Sequence, residues 1–155
     1  MLMTIWRTRP MIKRFFRKGT DESSDVNREA VSSGGVTVLI VDDSPTEVHV
    51  LKKILEKHGY RTEVANDGQE GVAMAKRIRP SLILMDVVMP VLNGFQATRQ
   101  LSKDQSTSAI PVIMVTTKDQ ETDKSWGMRQ GATDYLVKPV APAELITKIR
   151  NVLDR

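Results

Sequence analysis

No cysteine occurs in the chain, which excludes disulfides, thiolate zinc sites, thiol nucleophiles and iron–sulfur ligation. Histidine is nearly as scarce: His49 and His58, nine residues apart, leave little material for a nitrogen-ligated metal. Carboxylate sites for hard cations stay open. No apolar run approaches the ~18 residues that a membrane span requires, and the N-terminus lacks the continuous apolar stretch of a secretory signal. A soluble, cytoplasmic protein is therefore expected. Charge excess is also missing where it would matter. The 155 residues include 23 Lys and Arg against 19 Asp and Glu, but seven of these bases and four of these acids fall in residues 1–35. The remaining sixteen and fifteen nearly cancel, so residues 36–155 have no basic footprint for nucleic acid.

What is present suits one domain of ordinary core size behind an extension. Residues 19–35 are mostly small, polar and charged and read as a flexible tether. Residues 1–18 combine six bases and no acid with Leu2, Ile5, Trp6, Met11, Ile12, Phe15 and Phe16. A disordered tail, or an upstream start included in the gene, is expected for 1–35. Weak contact with an anionic membrane through 1–18 is the other use for such a mixture, although Pro10 interrupts any single helix.

From Val36 onward, short β-branched and aliphatic runs alternate with helix-period segments. Val36–Val41, Thr62–Ala65, Leu82–Met85, Val112–Val115 and Tyr135–Val137 have the character of strands buried in a parallel sheet. The first intervening helix carries Val48, Leu51 and Leu55 on one face. It opens with Ser44-Pro45-Thr46-Glu47, a capping box with proline at the first helical position, and closes at Gly59. Asp67 to Glu70 start the second helix and Arg79-Pro80 ends it; Gly131 ends the fourth; Pro142 starts the fifth, with Leu145, Ile149 and Val152 inward. Five such repeats predict an α/β fold, an open, doubly wound, five-stranded parallel sheet with helices on both faces. Sites in such folds lie beyond the carboxyl ends of the strands.

Reading those ends places Asp42 and Asp43 after the first strand, Asp86 after the third, Thr116 after the fourth and Lys138-Pro139 after the fifth. Three carboxylates converging on one rim repel each other unless a cation sits among them. Mg²⁺ suits oxygen ligands supplied by few carboxylates. Asp86 is then placed as a carboxylate nucleophile toward a phosphoryl group, giving an aspartyl phosphate. Asp43 and Asp86 would hold the metal, with Asp42 orienting it directly or through water. Lys138 would bring positive charge to one phosphoryl oxygen, and the Thr116 hydroxyl would donate to another.

These motifs, Val38-Leu39-Ile40-Val41-Asp42-Asp43, Asp86-Val87-Val88-Met89-Pro90 with Asn93-Gly94, Thr116 and Lys138-Pro139, resemble a two-component response-regulator receiver domain over residues 36–155. The intervals of 43, 30 and 22 residues between Asp43, Asp86, Thr116 and Lys138 match as well. The resemblance implies a flavodoxin-like strand order of 2-1-3-4-5 and five helices. It implies phosphoryl transfer from a sensor histidine kinase to Asp86, Mg²⁺ dependence and slow self-hydrolysis, in a signalling phosphoacceptor rather than an enzyme with a separate substrate. It further implies a metal contact from the Val88 backbone carbonyl and a cis Lys138-Pro139 bond. Thr116 and Tyr135 would act as the switch that reshapes a partner-binding face made by the fourth helix, fifth strand and fifth helix. Trp126 lies on or near that face, where exposure would mark a partner surface. The stretches Gly94–Leu101 and Thr116–Lys124 are similar to single-domain, chemotaxis-type regulators of twitching motility by type IV pili, which implies a downstream motility or signalling partner. Thr117 stands where many receivers have alanine, Val140 where many have phenylalanine, and the N-terminal extension is unusual.

Other readings fit less well. A phosphatase of the haloacid-dehalogenase type needs a second acid two residues after the nucleophile, where Val88 stands. A flavin protein of like topology would have its cofactor phosphate repelled by Asp42-Asp43. A receiver-like module that works without phosphate is the remaining alternative, and the intact acidic set argues against it. A DNA-binding effector domain has no room after the fifth helix, so no nucleic-acid partner is expected.

Overall fold

The structure, a computed structural model, describes residues 35–154. The expectations for residues 1–34, tail, tether and membrane contact alike, lie outside the described residues. Five strands alternate with five helices: β1 (Thr37–Val41), α1 (Pro45–Lys57), β2 (Arg61–Ala65), α2 (Gly68–Ile78), β3 (Leu82–Met85), α3 (Gly94–Lys103), β4 (Val112–Thr116), α4 (Glu121–Gln130), β5 (Asp134–Val137) and α5 (Pro142–Leu153). All pairings are parallel, in the order β2-β1-β3-β4-β5. This is the expected doubly wound sheet.

Strand alternation divides the core into two layers. Leu39, Val41, Ile83, Met85 and Met114 point to the side covered by α2, α3 and α4. Val38, Ile40, Leu82, Leu84, Ile113 and Val115 point to the side of α1 and α5, where they meet Leu51, Leu55, Leu145, Ile149 and Val152. Complete burial of a side chain such as Leu39 or Ile113 contributes about 1.5–3 kcal/mol. Val48, expected on the inner face of α1, packs only at its edge.

Helix ends follow local chemistry. Arg79, ahead of Pro80, leaves the α region at φ 46° and ψ 67°, and Gly131 closes α4 at φ 113°. The α1 cap departs from expectation. Ser44 Oγ accepts the Glu47 N–H at 3.3 Å, but the Ser44 N–H donates to Asp42 Oδ1 at 2.9 Å and is not the partner of Glu47. Half of the capping box is thus replaced by a bond to a strand-end carboxylate, which as a charged acceptor in a buried setting is the stronger partner.

The β3–α3 loop contains a strained turn. Val91 has φ 71°, and the Leu92 N–H donates to the Pro90 carbonyl at 2.8 Å, closing a three-residue turn around a β-branched residue. Releasing that side chain gains about 1–2 kcal/mol, offset by up to about 1 kcal/mol of glycine entropy. Val91→Gly should therefore raise the urea midpoint. An unchanged or lower midpoint would show that the turn is not strained.

Candidate functional site

Register alone brings the strand ends together. Val41 sits beside Ala65 and Met85, Met85 beside Met114, and Thr116 beside Val137. The ladder continues one residue further: Asp42 N–H donates to the Ala65 carbonyl at 3.1 Å, Asp86 N–H to Val41 at 2.9 Å and Lys138 N–H to Thr116 at 2.8 Å. Asp42, Asp86 and Lys138 are thereby fixed by backbone bonds at one rim, with Asp43 adjacent. Lys138-Pro139 is cis, as expected.

The side chains converge. One carboxylate oxygen from each of Asp42, Asp43 and Asp86 lies within 4.8 Å of the others. Asp42 is 2% exposed and Asp86 9%; Asp43 opens to solvent. The Lys138 Nζ donates to Asp42 Oδ2 at 2.8 Å and stands 3.6 Å from Asp86 Oδ2 and 3.8 Å from Glu47 Oε1. Asp86 Oδ1 accepts the Val87 N–H at 2.7 Å. Thr116 is completely buried at the end of β4, where its hydroxyl accepts the Lys118 N–H at 3.4 Å and acts to lower the Asp86 pKa.

Acidic groups outnumber the cation, and the titration of the site reflects this. Burial pushes the Asp86 carboxyl up; Lys138 pulls it back, Asp42 pushes it further up, and the Val87 and Thr116 bonds pull it down, with a net rise. Burial works against the Lys138 charge, but its bond to Asp42 and the fields of Asp86, Asp42 and Glu47 prevail and raise its pKa. A partly buried set of oxygen donors with excess negative charge suits a hard dication. No nitrogen or sulfur donor competes in the cluster.

Tyr135 on β5 is buried. Its hydroxyl donates to the Lys118 carbonyl at 2.9 Å. The ring lies beside Gly127 of α4, where an added methyl would be in ordinary contact with Tyr135 Cδ2 and Cε2 at 3.4 Å. The ring, the β4–α4 loop and the Thr116 hydroxyl are thus in sequence along one path. Burial, then the charges of Asp123, Asp119 and Asp86, push the Tyr135 hydroxyl up to about 12. An acid whose folded pKa exceeds its unfolded value, about 10, contributes stability below pH 10 that is lost as pH rises toward 12. The stability difference between wild type and Tyr135→Phe should shrink across that window in urea titrations. A constant difference would overturn the assignment.

The Val88 side chain, on the loop after Asp86, is largely exposed, as are Thr117 and Trp126. Glu47, which sequence reading treats only as a helix cap, faces Lys138. The signal that could have found it is its position in the first turn of a helix starting at the rim.

An acidic rim closed by a lysine, on a sheet of this order, defines a receiver domain, and the chain belongs to the response regulator receiver domain family, which residues 38–150 match. It is similar to protein PilH of Pseudomonas aeruginosa, at 63% identity over 116 residues that cover 75% of this chain and 96% of that protein. Among solved structures, the chemotaxis protein CheY4 of Vibrio cholerae aligns with a TM-score of 0.71 and 35% identity over 76% of this chain and 98% of that one. The receiver domain of a sensor histidine kinase from P. aeruginosa, solved with a magnesium ion in its active-site cleft, aligns with a TM-score of 0.73 and 32% identity over 77% of this chain and 98% of that one.

Proposed function

We propose that the chain is a phosphoacceptor response regulator in which Asp86 takes a phosphoryl group from a histidine kinase. The observation that carries this reading is the placement of Lys138 Nζ within 3.6 Å of the Asp86 carboxylate inside a three-carboxylate cluster. An Asp86 oxygen attacks phosphorus, the phosphorus–nitrogen bond of the donor phosphohistidine breaks, and the departing imidazole keeps that electron pair and takes a proton. Mg²⁺ held by Asp42, Asp43, Asp86 and the Val88 carbonyl supplies, when bound, neutralisation of the charge on the group in transfer. Lys138 moves from Asp42 to a phosphoryl oxygen, and the Thr116 hydroxyl turns to another.

Thr116 then pulls on the loop whose Lys118 carbonyl holds Tyr135, and the face made by α4, β5 and α5 changes shape. Trp126, 48% exposed on α4, and the neighbouring exposed Met128 suit docking of a downstream partner there. The resemblance to PilH supports a role in twitching motility or chemotaxis-type signalling. A cytoplasmic location fits, and no described helix is long and apolar enough to cross a membrane. Slow self-hydrolysis resets the site. With acetyl phosphate and Mg²⁺, the purified chain should gain the mass of one phosphoryl group. A chain that takes none under conditions that label other receivers would sink this reading in favour of a phosphate-independent interaction module.

A further inference from the structure

We infer that Glu47 is a fourth acidic member of the site, a positioning residue that holds the Lys138 ammonium at the rim and restrains phosphoryl entry. The inference rests on the phosphoacceptor reading above and assigns within it a residue that the local sequence gives to helix capping.

The geometry starts from the broken capping box. A glutamate at the third helical position ordinarily turns back to the backbone N–H of the cap residue. Here Asp42 Oδ1 has taken that N–H from Ser44 at 2.9 Å, and the Glu47 carboxylate reaches Lys138 at 3.8 Å instead. Lys138 thus has three anions in reach, and they are not equivalent. Asp42 and Asp86 are buried and belong to the carboxylate cluster. Glu47 stands outside that cluster with its side chain 43% exposed, on the solvent side of the ammonium. It is a counter-ion for Lys138 without being placed as a metal ligand.

Two consequences follow, of opposite sign for two different ligands. Glu47 adds negative potential at the entrance, so it favours a dication among Asp42, Asp43 and Asp86 and disfavours an anionic donor. It also competes with the phosphoryl oxygens for the Lys138 ammonium. A residue acting only as a cap would change helix stability and neither of these.

The test compares full-length wild type, Glu47→Gln and Glu47→Asp, each confirmed folded by circular dichroism. Initial phosphorylation rates with acetyl phosphate at saturating Mg²⁺ are measured at low and high salt, and Mg²⁺ affinity is measured by calorimetry without donor. Glu47→Gln should be phosphorylated about three- to tenfold faster than wild type at low ionic strength, with the gain shrinking as salt screens the charge. It should also bind Mg²⁺ about two- to threefold more weakly. Glu47→Asp, which keeps the charge, should remain within about twofold of wild type in both assays. Wild-type rates and wild-type Mg²⁺ affinity in Glu47→Gln would overturn the inference. If wild type itself takes no phosphoryl group, the phosphoacceptor reading fails, and the calorimetry alone decides Glu47: an unchanged Mg²⁺ affinity rejects its place in the site.

Discussion

Asp86→Asn should abolish phosphoryl gain from acetyl phosphate and, in the absence of Mg²⁺, melt higher than wild type. The first half follows from chemistry: a carboxamide is a far poorer oxygen nucleophile than a carboxylate, and no other carboxylate in the cluster accepts the Val87 N–H while standing beside Lys138. Residual labelling of Asp86→Asn at the wild-type level would move the phosphoacceptor elsewhere.

The second half follows from charge. Burial and the field of Asp42 raise the Asp86 pKa despite Lys138, so its ionised form is disfavoured in the fold. For an acid with a raised folded pKa, stability is greatest below the unfolded value, near 4, and declines as pH rises through the folded value. Removing the charge leaves the 2.8 Å Asp42–Lys138 pair intact, so no buried ion is orphaned. A gain in stability is therefore expected, read as a melting temperature above that of wild type. The advantage should vanish below about pH 4. Saturating Mg²⁺ should narrow or reverse it, because a cation that binds the native state stabilises whichever protein binds it better. A lower melting temperature for Asp86→Asn without metal would show that Asp86 contributes more through hydrogen bonds than its crowded charge costs.

How much of this was legible in the sequence can be judged residue by residue. Leu82–Met85 and Val112–Val115 read as buried strands because both of their faces are covered, which leaves an uninterrupted apolar run. In a parallel sheet, the residue after each such run must stand at the same rim, so Asp42, Asp86 and Lys138 could be grouped without knowing strand order. Pro80 and Gly131 end their helices through backbone restrictions that need no tertiary partner. Glu47 was legible only as a cap near the rim: the Ser-Pro-Thr-Glu pattern describes a local helix start, and only the fold brings Lys138 within 3.8 Å of its carboxylate. The bond from the Tyr135 hydroxyl to the Lys118 carbonyl likewise joins two separate elements, which no pattern within the strand foretells. Trp126 was left open because α4 is polar around its circumference and buries only Gly127 and Gln130, so periodicity gave it no inner face.

Gly94→Ala should cost on the order of 3 kcal/mol and slow phosphorylation far more than its distance from the chemistry suggests. Gly94 is the first residue of α3, and its N–H donates to the Val87 carbonyl at 2.9 Å. A methyl at this position would be driven into the carbonyl oxygen of Asp86 and stand 2.8 Å from that carbonyl's carbon and 2.9 Å from Val87 Cα. All three are backbone atoms, so no rotamer change can relieve the clash. The helix cannot easily retreat either: Asn93 and Gln96 bond reciprocally through a complete capping box at 3.0 and 2.9 Å. The strain must therefore pass into residues 86–87, moving the carboxylate relative to Lys138 and Thr116. A displacement near 1 Å at a reacting group costs about a hundredfold in rate, and about 3 kcal/mol lowers the melting temperature by roughly 10 °C. Gly35→Ala, where a methyl meets nothing within 4 Å, is the control and should stay within about 0.5 kcal/mol of wild type. Urea unfolding and acetyl phosphate kinetics on both variants decide the matter: if Gly94→Ala matches Gly35→Ala in both, the α3 N-terminus does not set the position of Asp86.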